Sequence, residues 1–512
     1  MGDHRKVLLG LDLGYTGCKA VAFDLEGRVL ASAYREYPMS YPQPGWVELD
    51  PEAIWQHTAS AIRQVTASVS DPVAALSVAV MGEAFTPVDR HGHPVMPTIT
   101  AFDERGSVEC SRLVEQLGAE RVFALTGQVA GPSHPLAKIC WLRQNRADLY
   151  RSVHKFLCYG ELVLSRLGLP PTIDYSMAAR SMAFDIHRRE WSEPILEAAK
   201  LDPGLLPSVA SSGTAIGFPC REVADELGLP RSTVVVVGGH DQPCGAVGAG
   251  VVAEGQATYA LGTVHVICAV LDSFKGSLGA EGFPCYPHVI PNRFVTMAYN
   301  FTGGSLLRWF RDTFGQAEMA EANTTGRDAY DLILANLPVS PTDLFVLPHF
   351  SGTGTPWFDA QARGTVMGVT LGTKRSEIVK AILEGTTYEL ALNLGLLDRA
   401  GAPVRELHAI GGSARSSADL QIRTHIMNRP IKAMKVSEAA ALGAAILAGT
   451  GAGLYESAEV ASGQLAQVQG VYSPDPDLAA QYRIRLDAYE AIHPLIREAY
   501  HRRAQLKTPV QR

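Results

Sequence analysis

The chain contains no apolar run of the roughly 18 residues a membrane span requires; its most apolar stretches, 73–80, 233–237 and 439–449, are all short. It has no Lys/Arg run either, and 45 basic against 52 acidic residues leave a net charge of −7, so a polyanion such as nucleic acid finds no basic face. No G-x-x-x-x-G-K-[ST] string occurs, which sets aside P-loop nucleotide hydrolysis. Cysteine is sparse: positions 18, 110, 140, 158, 220, 244, 268 and 285 form no C-x-x-C pair, and no His cluster has metal-ligand spacing. The thiols read as reduced core residues of a cytoplasmic protein. Cys244, close to Asp241, is the one placed where a nucleophile would serve, with burial the stronger reading. Near the N-terminus, His4, Arg5 and Lys6 precede an apolar run that Asp12 breaks too early for a signal peptide. Lys6 stands where lipidation at Gly2 calls for Ser or Thr.

What is present is a hydrophobic fraction of 46% in 512 residues, enough for two large domains or three smaller ones. The segment from Val7 to Asp24 alternates strand, glycine turn and strand, with Asp12, Gly14, Thr16, Gly17 and Lys19 in and beside the turn. Asp50-Pro51-Glu52 predicts a helix start, with Asp50 as N-cap and Pro51 at the first helical position. A strand over 74–80 leads into Gly82-Glu83-Ala84-Phe85. A buried strand over 232–237 ends on Gly238-Gly239-His240-Asp241, and the strand, glycine-turn, strand pattern returns at 256–268 around Gly262-Thr263. That echo suggests two topologically similar α/β units facing each other across a cleft, 5–250 and 251–505. Backbone N–H groups in such turns, joined to a carboxylate, a hydroxyl and a cation, are tools for phosphate and Mg²⁺. A single turn of this kind is equally a plain hairpin. Gly262-Thr263 and the turn Gly411-Gly412-Ser413-Ala414 after a strand over 407–410 shift the reading to nucleotide binding. Asp241 stands at a strand end, where open α/β folds present catalytic groups; its plainer reading is an N-cap for the following helix.

Several motifs, taken in order, resemble the FGGY family of carbohydrate kinases over nearly the whole chain. Leu11 to Lys19 is similar to the family's first phosphate motif, Lys138 to Leu142 to its K-x-x-W segment, and Gly239-His240-Asp241-Gln242 to the motif that bears its catalytic base. Leu261-Gly262-Thr263 resembles the second phosphate motif. Gly364 to Val369 with Glu377 to Glu384 resembles the C-terminal signature, and Gly411 to Ser416 the adenosine motif. Tyr15 and Gly17 stand where hydroxyl residues are common, and Val264-His265 replaces small residues. Gly82 to Phe85 matches neither the xylulose-kinase nor the glycerol-kinase version of that segment. Ala101 to Arg105 stands where the family has W-x-D-x-R.

The resemblance implies an α/β fold of two actin-like (RNase H-like, ASKHA) domains flanking a central catalytic cleft, and ATP-dependent phosphorylation of a small sugar or polyol. It implies Asp241 as the base, with Asp12 and Asp241 at Mg²⁺. Gly14, Thr16, Gly17, Lys19, Gly262 and Thr263 would lie at the phosphates, and Gly303, Gly304, Gly411, Gly412 and Ser416 at adenosine. Glu83, Asp103, Asp241, Gln242 and, more weakly, His134 would bind sugar hydroxyls, with Phe102 as packing and His134 otherwise a solvated loop residue. A ketopentose is the first expectation for the substrate, a homodimer for the assembly, and hinge closure for the response to sugar. Two other readings stand beside it: an inactive sugar sensor on the same fold, which the presence of both carboxylates disfavours, and an NAD-dependent oxidoreductase, which the glycine order at 245, 248 and 250 disfavours.

Overall fold

A computed structural model describes residues 6–505; Gly2, His4 and Arg5 lie outside the described residues. The first sheet is built from β1 (Val7–Leu13), β2 (Gly17–Phe23), β3 (Val29–Glu36), β4 (Val73–Val80), β5 (Ala215–Gly217), β6 (Val234–Val236) and β7 (Gly239–His240). Its order is β5-β6-β4-β1-β2-β3, with β7 continuing the line of β6 along β4. The strands β1 and β4 are apolar almost throughout, as parallel strands covered on both faces must be.

The second sheet repeats the plan. It comprises β8 (Gln256–Leu261), β9 (His265–Leu271), β10 (Tyr286–Pro287), β11 (Phe294–Asn300), β12 (Glu406–Ile410), β13 (Ile431–Met434) and β14 (Val468–Tyr472), in the order β10-β11-β9-β8-β12-β13-β14. In each sheet three antiparallel strands are followed by strands parallel to the first: β1-β2-β3 then β4 and β6, and β8-β9-β11 then β12 and β13. The repeated glycine-turn pattern of the sequence thus marks a repeated topology.

The helices that matter to the site are α1 (Pro51–Ser68), α2 (Asp241–Gly248), α3 (Gly304–Phe314), α4 (Arg375–Arg399), α5 (Ser417–Met427), α6 (Ala439–Gly451) and α7 (Pro476–Gln505). The α1 start is the one the sequence predicts: Asp50 accepts from the amides of Glu52 and Ala53, and Pro51 opens the helix. The apolar stretch at 439–449 forms α6, which runs on to Gly451. With nine Ala or Gly among its 13 residues, α6 lies on the first sheet although it comes late in the chain, its small side chains letting backbone meet backbone. A Cβ on Gly443 would overlap the carbonyl of Cys244 in α2, and one on Gly10 of β1 would overlap that of Ala441. The helices α2 and α6, with Leu8, Val21, Ala75 and Ala79 of the first sheet, form one apolar cluster between the two sheets. All eight cysteines are free. Burial pushes the Cys244 thiol well up, which takes it out of contention as a nucleophile. Among the described residues no helix is long and apolar enough to cross a membrane.

Candidate active site

Two carboxylates meet at the ends of neighbouring parallel strands. Asp12 of β1 and Gly239 of β7 flank Ala79 of β4 from opposite sides, and two residues past Gly239 the chain reaches Asp241. Asp241 is the first residue of α2, and His240 holds the cap position, so the N-cap reading of Asp241 does not hold. Burial, and then the charge of Asp12, push the Asp241 carboxyl up to about 7; burial pushes Asp12 up to about 6, against the pull of Lys19. His240 steadies Asp241. Its Nε2 is 3.3 Å from Asp241 Oδ1, its Nδ1 is 2.9 Å from the Tyr286 hydroxyl, and its amide donates to Ser176 Oγ at 3.0 Å. Burial pushes the ring well below its ordinary value and keeps it neutral.

The first turn supplies a cation and an open backbone. The Gly14 amide donates to the Gly17 carbonyl at 3.0 Å, closing the turn, and the register of β1 and β2 sets Lys19 opposite Asp12. Thr16 is exposed at its tip. Gly17 has no room for the hydroxyl residue common in the family, because a Cβ there would come within 2.7 Å of the Arg35 carbonyl and 2.5 Å of the Tyr34 hydroxyl. Lys19 pairs with Glu438, just ahead of α6, so the two halves of the sequence meet beside this turn. Tyr15 leaves the turn altogether: its hydroxyl donates to the Gly82 carbonyl, and its ring lies 4.8 Å from that of Phe102.

These contacts lead to the other end of the cleft, where Glu83 sits in the left-handed region at φ 59° and pairs with Arg180. Sequence reasoning missed Arg180. Its Nη1 donates to Gln128 Oε1 at 3.0 Å, its guanidinium carbon is 5.3 Å from the Tyr286 ring centre, and its Nε has no acceptor in the protein. Gln242 follows Asp241 and is half-buried.

Asp103 and His134 do not serve here as expected. Asp103 is 1% exposed; it accepts from the Val47 amide at 2.7 Å and from Arg105 Nε and Nη2 at 2.8 and 2.7 Å, and this occupies both carboxylate oxygens. The expectation of Asp103 as a hydroxyl-binding group is therefore corrected: it braces the wall, while Phe102, expected to be packing, is 56% exposed against Tyr15. His134 is neither a solvated loop residue nor free to bind sugar. It is buried, with its ring nitrogens 2.9 and 3.1 Å from the carbonyls of Arg180 and Val129. Lys138 stitches the same wall together by donating to the carbonyls of Thr100 and Ser133, and burial brings its ammonium down to about 7.

The second turn holds the matching place in the other sheet, between its first two antiparallel strands. Gly262 and Thr263 are exposed between β8 and β9, and their carbonyls accept from the amides of Gly304 and Gly303 at 2.9 and 3.0 Å. This seats the N-terminus of α3 beside the turn. His265 does not crowd it: the ring points inward, 1% exposed and edge-on to Tyr259 at 5.9 Å, in the room left by Gly303. Gly411, at φ 95°, lets the next turn pass Leu261; Gly412 beside it has open space around it. The Ser416 hydroxyl caps α5 by accepting from the Asp419 amide at 3.4 Å, so Ser416 shapes this turn chiefly through its backbone.

Two close carboxylates and two glycine turns, one exposed at Thr16 and the other at Gly262 and Thr263, suit a divalent cation and a polyphosphate. The mutual repulsion of Asp12 and Asp241 is what a bound cation would relieve, and Mg²⁺ takes few protein carboxylates, completing its shell with water and phosphate. Among the described residues no three metal-ligating side chains cluster.

Comparison with known proteins agrees with this geometry. The model of the FGGY family of carbohydrate kinases matches residues 7–248 with its N-terminal domain and residues 276–452 with its C-terminal domain. A xylulose kinase of Bacillus subtilis is 27% identical over 496 residues, covering 95% of this chain and 97% of the relative. A gluconokinase of the same organism is 26% identical over 498 residues, covering 96% of each. The crystal structure of a xylulose kinase from Lactobacillus acidophilus superimposes with a TM-score of 0.88 at 24% identity, over 97% of this chain and 99% of that one.

Proposed function

The chain belongs to the FGGY family of carbohydrate kinases, with that family's actin-like ASKHA fold, and we propose that it transfers the γ-phosphoryl group of ATP to a hydroxyl of a ketopentose of the xylulose or ribulose type. The observation that carries this reading is the pair Asp12 and Asp241 reached from strands on either side of Ala79, together with an exposed Gly262-Thr263 turn at the matching place in the second sheet.

Phosphoryl transfer needs positioning and charge stabilisation more than covalent chemistry. Asp241 accepts the proton of the attacking hydroxyl; an ordinary carboxylate would be a weak base, and the burial that raises it to about 7 fits it to that task near neutral pH. Neutral His240 holds it in place through the Tyr286 hydroxyl. Asp12 is the principal holder of Mg²⁺, which when bound neutralises phosphate charge. Lys19 and the amides of both glycine turns orient the phosphates, and Gly303, Gly304, Gly411 and Gly412 make the backbone shelf for adenosine. Glu83, Arg180 and Gln242 receive the sugar hydroxyls, walled by Phe102 and Tyr15. The protein works in the cytoplasm with reduced thiols and as a homodimer.

The named relatives point to a neutral ketose in one case and a sugar acid in the other. The pentulose reading follows the first, the Gly-Gly-His-Asp and Phe-Asp-Glu-Arg segments, and chain length. The oxidoreductase reading finds no support, because the helix after β6 and β7 opens on Asp241 and not on a glycine turn. ADP release with Mg·ATP across ketoses, aldoses and polyols tests the proposal: stimulation by a pentulose supports it, and stimulation only by compounds of another class assigns a different substrate.

A further inference from the structure

The sugar end of the cleft is built for a substrate without charge. Its guanidinium, Arg180, is engaged through both terminal nitrogens: Nη2 pairs with Glu83, and Nη1 donates to Gln128 at 3.0 Å. The Nε alone is without an acceptor. A carboxylate is bound best by two parallel N–H groups of one guanidinium; both such forks of Arg180 run through Nη2, which Glu83 already holds, whereas the single Nε–H suits a hydroxyl. The neighbouring cations are committed as well. Lys138 donates to the carbonyls of Thr100 and Ser133, and Lys19 pairs with Glu438 at the phosphate end. Against these stand two carboxylates, Glu83, buried beside Arg180, and Asp241, 24% of whose side chain remains reachable. An incoming carboxylate would meet both in a partly desolvated site, where like charges repel strongly.

We infer that the site selects neutral polyhydroxy substrates and rejects sugar acids, with the Glu83–Arg180 pair as the selecting element. The inference rests on the phosphoryl-transfer reading of the same site. Glu83 supplies an acceptor for substrate hydroxyls and at the same time withholds Arg180 from any carboxylate.

The test compares D-xylulose, D-ribulose and xylitol with D-xylonate and D-gluconate, using the full chain and Mg·ATP. For the best neutral compound kcat/KM is expected to exceed that of either aldonate by at least 100-fold; an aldonate turned over as well as or better than every neutral compound overturns the inference. If nothing is turned over, it is the kinase reading that fails, and charge selection is read instead from thermal shifts with the same compounds. Stabilisation by a neutral compound and by neither aldonate then supports it, whereas stabilisation by an aldonate, or by no neutral compound, overturns it. Glu83→Gln provides the second arm. Freeing Arg180 is expected to raise the aldonate-to-neutral ratio, in turnover or in binding, by at least tenfold, a ratio taken within one protein and so insensitive to lost stability. An unchanged ratio overturns the role given to the pair.

Discussion

Asp241→Asn removes a charge that the folded protein holds at a cost, so the variant is expected to be more stable than the wild type while losing activity. The Asp241 carboxyl lies at about 7 in the folded chain against an ordinary 3.8, raised by burial and by Asp12. The sign follows from proton counting. Between pH 4 and 7 the folded state holds a proton that the unfolded state has released, so wild-type stability falls as pH rises through that window and levels off above it. A difference of about 3 pKa units at about 1.4 kcal/mol each sets a ceiling of about 4 kcal/mol, reduced by the solvent that still reaches the side chain. Asparagine cannot ionise and escapes the loss. Thermal melts without ligand should show the variant above wild type at pH 8 and level with it at pH 4.5. Mg²⁺ should stabilise wild type more than the variant, since it relieves the same repulsion. A variant that gains no more at pH 8 than at pH 4.5 would refute the reasoning.

Other expectations follow from the same geometry. With free enzyme, kcat/KM should rise with pH through about 7 as Asp241 ionises, and a flat profile from pH 5.5 to 8.5 would contradict its role as base. Lys19→Met is expected to raise KM for ATP about tenfold or more while changing stability by less than about 1 kcal/mol, because its pair with Glu438 is partly open to solvent; ATP titrations and melts separate the two effects. Gly443→Ala forces a Cβ into the Cys244 carbonyl and should cost about 3 kcal/mol or more, read as a lowered unfolding midpoint. Small-angle scattering should show compaction with sugar plus a non-hydrolysable ATP analogue, the two sheets closing about the contact of α2 with α6.

How much of the site is legible in the sequence depends on how local each signal is. The turns at Gly14 and Gly262, the α1 start at Asp50-Pro51 and the strand ending before Asp241 are written in neighbouring residues, and they stand in the structure where the sequence puts them. The pairs Lys19–Glu438 and Glu83–Arg180 join residues 419 and 97 positions apart, and no periodicity or turn chemistry reports such a contact. Asp103 departs from its expectation for a different reason, since its main partner is close in sequence. A carboxylate in a wall motif looks free until Arg105, two residues on, is seen to fold back and take both its oxygens. His265 shows the converse: beside a phosphate turn it looks obstructive, yet strand alternation turns its ring into the sheet.

The central claim is that Asp241 takes the proton from a sugar hydroxyl while ATP is held by the two glycine turns. The measurement that tests it most directly is single-turnover formation of sugar phosphate by wild type and Asp241→Asn, with the best substrate of the panel and both ligands at saturating, independently measured occupancy. The account predicts that the variant binds ATP and sugar within a few-fold of wild type yet forms product at least 1000-fold more slowly. Product formation within tenfold of wild type at full occupancy would contradict it.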